Sequence, residues 1–276
     1  MVRTAERAVT MAVKYAGVDM SYCQPTHCID YKALKQAKIK GYTVKFAMLR
    51  FSYGTSRDNV FEAHYNGCKE AGIYVGAYHW LRAQNTSQAR TEARWLIEQL
   101  NLYSFEYPIA LDFEDKDLFD LKLSKAKYTA IVTTFMQELE RAGYYAILYT
   151  NPDTLKNRLE SRVVDMYDLW LAHWTDVPAQ YGQKMWQYAA LGNATDVAKG
   201  WATDIGSVDG VRCPIDVNWC YVGYAKKIRE LGKNGQKVAK KYRLTAYKTV
   251  SESAIESTAN QLKALGYTVK KTEINS

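Results

Sequence analysis

Pro108-Ile-Ala-Leu-Asp-Phe-Glu114 is an apolar, strand-like run that ends in two carboxylates two positions apart. Side chains alternate along a strand, so Asp112 and Glu114 share one face while Leu111 and Phe113 share the other. An isolated buried charge is costly, and two acids on the inward face of such a strand need a reason. Paired carboxylates that hold different protonation states are the usual equipment for splitting glycosidic bonds. The competing account is a strand end whose acids simply reach water or cap the next segment.

Strand-like runs rich in β-branched and aromatic residues recur around this stretch, at 15–20, 44–50, 73–78 and 144–150. Helical stretches separate them. Over 124–142, Tyr128, Ile131, Val132, Phe135, Leu139 and Ala142 recur at three- and four-residue spacing. Ser124 stands where an N-cap is wanted and Gly143 where a left-handed stop is wanted. Two more helices are read at 58–71, starting at Asp58, and at 87–101, with Ala89, Ala93, Leu96 and Leu100 on one stripe. After residue 160 the rhythm changes: 169–172, 184–188 and 214–217 read as short strands with no helix between them. The expected fold class is α/β, an incomplete (β/α)8 TIM-like barrel with about five helices. In such barrels chemistry belongs at the C-terminal ends of the strands, and Asp19, Asp112, Glu114 and Asp216 are all expected at or near such ends.

The chain has 276 residues, 47% of them hydrophobic and 24% charged, as in an ordinary soluble domain with a small appendage. No run approaches the length of a membrane span. The first 14 residues place charges on both sides of a short apolar stretch and read as an extension rather than a secretory signal. Five cysteines, an odd number, argue against a disulfide scaffold. Cys23, His27 and Cys28 lack the second half of a zinc motif, and 112–117 lacks the glycine of a calcium loop, so no metal or other cofactor is expected. The net charge of +8 is localised, because residues 225–276 hold 12 Lys+Arg against 4 Asp+Glu. That asymmetry suggests an anionic partner for the tail. The reading is an extension at 1–14, a barrel at 15–224, a basic linker at 225–240 and a small βαβ domain at 241–276. The last has strands at 242–250 and 267–274 around a helix at 251–265.

Fragments along most of the chain resemble glycoside hydrolase family 25, the lysozymes (N-acetylmuramidases) of phage and bacterial origin. They are Gly17-Val-Asp-Met-Ser21, Arg50-Phe-Ser-Tyr-Gly-Thr55, Ala71-Gly-Ile-Tyr-Val-Gly-Ala-Tyr-His79, Ala110-Leu-Asp-Phe-Glu114, Tyr149-Thr150, Leu169-Trp-Leu-Ala172, Trp186-Gln-Tyr188 and Ile215-Asp-Val-Asn218. Each is weak alone; eight in family order are strong. Pro25 and Tyr53 depart from the family pattern, in loops where they bear on substrate contacts.

The resemblance implies that Glu114 is the general acid and that Asp112, Asp19 and Asp216 raise its pKa. Asp112 then stays ionised, stabilising developing positive charge or orienting the substrate's 2-acetamido group. Asp19 and Asp216 bind sugar hydroxyls, tune the pair or position water. Tyr78, Tyr149, Trp170, Trp186 and Tyr188 fall where a sugar-binding groove would be lined, and Arg50 is a further candidate contact. His79 and His173 read as hydrogen-bonded structural residues.

The implied activity is cleavage of the β-1,4 bond from N-acetylmuramic acid to N-acetylglucosamine in Gram-positive peptidoglycan. Synthesis in a host cytoplasm, with release to the wall by a separate membrane-permeabilising partner, is the expected setting. The tail would hold an anionic wall polymer or mediate homo-oligomerisation. Alternatives are a chitinase-like glycosidase, which would need more acids on the 107–114 strand, and a non-catalytic wall-binding protein. Nucleic-acid binding by the tail ranks low because no base-reading motif is evident.

Overall fold

A computed structural model describes Ala12 and residues 15–178, 181–236 and 252–264. The chain divides into two units, Met1–Val238 and Ala239–Ser276. In the first, eight strands close on themselves: β1 (Tyr15–Met20), β2 (Tyr42–Tyr53), β3 (Tyr74–Trp80), β4 (Ile109–Asp112), β5 (Ala146–Thr150), β6 (Asp168–Ala172), β7 (Met185–Gly192) and β8 (Ile215–Cys220). Neighbouring strands from β1 through β7 pair in parallel. β8 runs antiparallel to both β7 and β1 and completes the ring.

The barrel is therefore mixed rather than all-parallel, a correction to the sequence reading. A parallel return needs a crossover, usually a helix, that carries the chain back along the barrel. Between β7 and β8 there is only α8 (Ala194–Ala198) and a two-residue strand, Asp204–Ile205, laid beside the end of β7. The chain stays at the mouth and re-enters downward. Asp216 thus sits at the start of its strand, not the end, and still opens on the same mouth.

The other connections carry α1 (Tyr31–Gln36), α2 (Phe61–Ala71), α3 (Thr86–Leu100), α4 (Lys116–Asp120), α5 (Lys125–Arg141), α6 (Pro152–Arg158) and α7 (Val163–Met166), and α9 (Tyr224–Leu231) follows β8. Against about five expected helices, the described barrel unit has nine, most of them short. α5 begins and ends as its sequence suggested: Ser124 Oγ caps Lys127 N, and Gly143 adopts φ +88°. α2 starts three residues later than expected, and Asp58 ahead of it accepts hydrogen bonds from Arg50 Nε and Tyr22 N on one carboxyl oxygen and from Val60 N on the other.

Two apolar layers result from the strand alternation. The outer one packs the helices on the barrel and includes Leu111 and Phe113. The inner one fills the barrel with Phe46, Met48, Tyr107, Ala110, Ile147, Tyr149 and Trp170. Gly17 is required by that filling, since a Cβ there would meet the Phe46 ring at 2.5 Å.

Residues 225–236 are not a linker, a second correction. Tyr224 and Ile228 of α9 are fully buried in the inner layer and close the lower end of the barrel. Beyond α9, buried Asn234 sits at φ +56° and stitches three segments together. Its side chain accepts from Tyr145 N at 2.6 Å and donates to Tyr107 O at 2.8 Å, and its carbonyl accepts from Phe105 N at 3.0 Å. In the second unit the described element is α10 (Glu252–Ala264), within the expected helix. The two expected flanking strands lie outside the described residues. No helix of the described residues is long and apolar enough to cross a membrane.

Ile228→Ala should therefore destabilise the protein by about 2–5 kcal/mol, the range for deleting a well-packed core side chain. Urea denaturation with a single cooperative transition checks this; a change below about 0.5 kcal/mol would mean α9 does not close the barrel.

Candidate active site

Asp19 is the penultimate residue of β1, Asp112 ends β4, Glu114 follows two residues later and Asp216 is the second residue of the reversed β8. Asp19 and Asp216 are directly paired across the β1–β8 ladder. Asp112 and Asp19 are 2% and 5% exposed, and Glu114 keeps more of its surface open. Asp19 interacts electrostatically with each of the other three carboxyls. Burial pushes Asp112 well above the carboxylate range, aided by the charges of Glu114 and Asp19, and the Arg50 guanidinium partly offsets this. Burial likewise pushes Asp216 up, aided by Asp19. Glu114 is raised to about 7 by burial and by Asp19. Asp19 is raised by burial to about 6, held lower than the rest by hydrogen bonds from Asn218, Gln187 and Asp216. The site is thus a proton-rich cluster in which Asp19 has the best-supported negative charge. Asp112, expected to be the ionised partner of Glu114, is instead pushed toward its neutral form, and its buried Oδ1 has no protein hydrogen-bond partner.

Two carboxamides surround Asp19. Asn218 Nδ2 donates to its Oδ2 at 2.7 Å and Gln187 Nε2 at 3.0 Å. The amide orientation follows from indole chemistry, because an indole N–H can only donate. Trp170 Nε1 donates to Asn218 Oδ1 at 2.7 Å, which turns the Asn218 NH2 toward Asp19.

Tyr78, Tyr149 and Trp170 form an aromatic floor inside the barrel, with Trp170 edge-on to both tyrosines at 5.9 and 4.5 Å between ring centroids. Arg50 forms part of the wall, paired with Asp58 at 2.8 Å and stacked 4.4 Å from the Tyr22 ring centroid. Trp186 and Tyr188 are a correction. They lie in the outer layer, Tyr188 stacked on Trp219 at 5.0 Å, because strand alternation sends them away from the side that Gln187 faces.

Gln187 and Asn218 were not singled out in the sequence. A polar residue between two aromatics on a strand, and a polar residue two positions after Asp216, were the available signals. Trp174 and Tyr22, 52% and 57% exposed and bonded to Gln187 and stacked on Arg50, are further rim residues. His79 is hydrogen-bonded to Ser52 Oγ and Glu92 Oε1, both at 2.7 Å, an arrangement like a hydrolase triad. Ser52 and His79 are 0% exposed, so it clamps β2, β3 and α3 and has no route to substrate. A separate cleft beside α5, α6 and α7 contains Lys125, Lys156, Arg162 and a single acid, Glu160, and lacks a carboxyl pair.

The family model for glycosyl hydrolases family 25 matches residues 18–197, about two thirds of the chain. The chain belongs to that family. A curated relative, the autolytic lysozyme of Clostridium acetobutylicum, is 27% identical over 146 residues. That match takes in 53% of this chain and 41% of the relative, so the chain spans less than half of that protein's length. Among solved structures, the fold is similar to a bacterial lysozyme from Streptomyces coelicolor, with TM-score 0.62 and 20% identity over 81% of this chain and 98% of that one. It is also similar to the CTP1L endolysin, with TM-score 0.60 and 21% identity over 78% and 69% of the two chains.

The raised carboxyls set a stability signature. Glu114, raised to about 7, binds more proton in the folded than in the unfolded chain between roughly pH 4 and 7. Its contribution is present below the unfolded pKa and is lost as pH rises through about 7. Glu114→Gln should melt higher than the parent at pH 8, with the gain vanishing by pH 4. Parallel Tm curves across that range would contradict the buried, proton-rich site.

Proposed function

We propose that this chain is a muramidase that hydrolyses the β-1,4 bond between N-acetylmuramic acid and N-acetylglucosamine in peptidoglycan. The observation that carries the reading is the gathering of four carboxyls at one mouth, with Glu114 raised to about 7 and still open to a ligand. Such an acid is protonated in a useful fraction near neutral pH and donates its proton to the glycosidic oxygen. Asp112 lies on the same side, with an unpartnered Oδ1. Positive charge developing on the sugar ring supplies that oxygen with an electrostatic partner and favours its ionised form. Tyr78, Tyr149 and Arg50 offer a floor and a wall for the sugar, while Trp170, fully buried, supports from beneath. Trp174 and Tyr22 present rings at the rim that suit the apolar faces of pyranoses.

Glu114→Gln should leave the fold intact and lower the clearing rate of purified Gram-positive walls by about 10²–10⁴-fold, the usual share of a general acid. Mass spectrometry of the released muropeptides should find muramic acid at the new reducing ends. Glucosamine there, or full activity in Glu114→Gln, would overturn the assignment.

The second unit completes the proposal as an anchor for an anionic wall polymer. Residues 239–276 carry seven Lys+Arg against three Asp+Glu, so half of the excess charge of residues 225–276 belongs to this unit and half to residues 225–238. The full chain should sediment with walls in a salt-sensitive manner, and a chain ending at Val238 should sediment less while still cleaving soluble wall fragments. Equal sedimentation of the two would remove the anchoring role, and a dimer seen only with the full chain would replace it by self-association. Production in a host cytoplasm and delivery by a membrane-permeabilising partner fit this reading.

A further inference from the structure

We propose that Trp174, acting through Gln187, is a positioning residue that decides which member of the Asp19–Asp216 pair keeps the proton. The proposal rests on the muramidase reading for its catalytic consequence but on hydrogen-bond geometry for its substance. Gln187 Oε1 accepts from two donors, Trp174 Nε1 and Tyr149 Oη, each at 3.0 Å. The indole cannot accept, so the amide oxygen must face it and the NH2 must face the acids. That NH2 reaches Asp19 Oδ2 at 3.0 Å and Asp216 Oδ2 at 3.3 Å. Asp19 also receives Asn218 Nδ2, and Asp216 lies within hydrogen-bonding reach of Asp19. Two amide donors and one carboxyl donor converge on Asp19, whereas the one amide donor seen at Asp216 is the longer bond. The ionised form therefore belongs on Asp19 and the shared proton on Asp216.

Other groups face this pair from the surrounding strands. Asp112 of β4 and Glu114 beyond it add negative charge, while Tyr78 of β3 contributes a half-buried hydroxyl and Tyr149 of β5 a buried one. Arg50 of β2 supplies positive charge beside Asp112 and Tyr78. The Asp19 anion in turn raises Glu114. The chain of influence runs from an exposed ring to the acid: Trp174 orients Gln187, Gln187 supports Asp19, and Asp19 keeps the proton on Glu114.

Two variants separate this from a structural role. Gln187→Leu removes the amide, and Trp174→Phe keeps a ring at the exposed rim while removing only the N–H. Carbon-13 NMR titration of the aspartate carboxyls, in the full chain without substrate, should find Asp19 moved up by about one pH unit in Gln187→Leu. Trp174→Phe should move it less, in the same direction. In wall clearing, the acid limb of the pH–rate profile should rise with it and the alkaline limb should fall, narrowing the bell. For Trp174→Phe the change should appear in kcat, with KM altered less than about threefold. Unmoved carboxyl titrations in both variants would overturn the proposal, as would a shift in Gln187→Leu with none in Trp174→Phe. Loss of rate by a constant factor at every pH would do the same. If Gln187→Leu does not fold, Trp174→Phe alone decides. A parent protein that clears no walls sinks the muramidase reading and leaves the carboxyl titration able to test the positioning role.

Discussion

Four carboxyl groups share one end of a barrel whose interior is otherwise packed with Phe46, Met48, Tyr107, Ile147 and Trp170. Charges cannot be hydrated there as they are in water, and four of them cannot be ionised together cheaply. The cluster responds by holding protons at a pH where separate carboxyls would have released them. The reversed direction of β8 makes this crowding possible. With a strand parallel to the rest, Asp216 at position two would lie at the lower end, beside the α9 plug and far from Asp19. Antiparallel pairing instead sets Asp216 opposite Asp19.

The aromatic residues of the barrel do more than fill space. Trp170 is completely buried, yet its one polar atom orients the Asn218 amide and through it supports the Asp19 charge. Tyr149 does the same for Gln187 while its ring packs on Trp170. Core packing and site electrostatics are therefore set by the same side chains. At the lower end, Tyr224, Ile228 and Asn234 seal the barrel and tie α9 and the turn after it to the segments before β4 and β5. Sealing one end leaves the carboxyl end as the open face.

Much was legible in the order of residues because it depends on local periodicity. The eight strands were located from apolar runs, α5 from its spacing and its Ser124 and Gly143 ends, and the inward pairing of Asp112 with Glu114 from a period of two. Asp19 and Asp216 were reached from the rule that barrel chemistry sits at strand ends, and the family resemblance added their roles. The direction of β8 was not legible, since an antiparallel and a parallel strand carry the same apolar pattern. The basic composition of 225–236 concealed α9, whose buried contribution is only a few residues among charged ones.

The sequence alone determined which strands exist, which acids could face inward on each, and the kinship that those motifs carry. All of these follow from neighbours in the chain. Tertiary structure decided that Gln187, rather than Trp186 and Tyr188, faces the acids, and that Asn218 and Trp174 join them from distant segments. It also decided that Asp19 has the best-supported charge in the cluster. A carboxyl's proton is governed by the donors and charges within a few ångströms, and here those arrive from strands up to 199 residues apart along the chain.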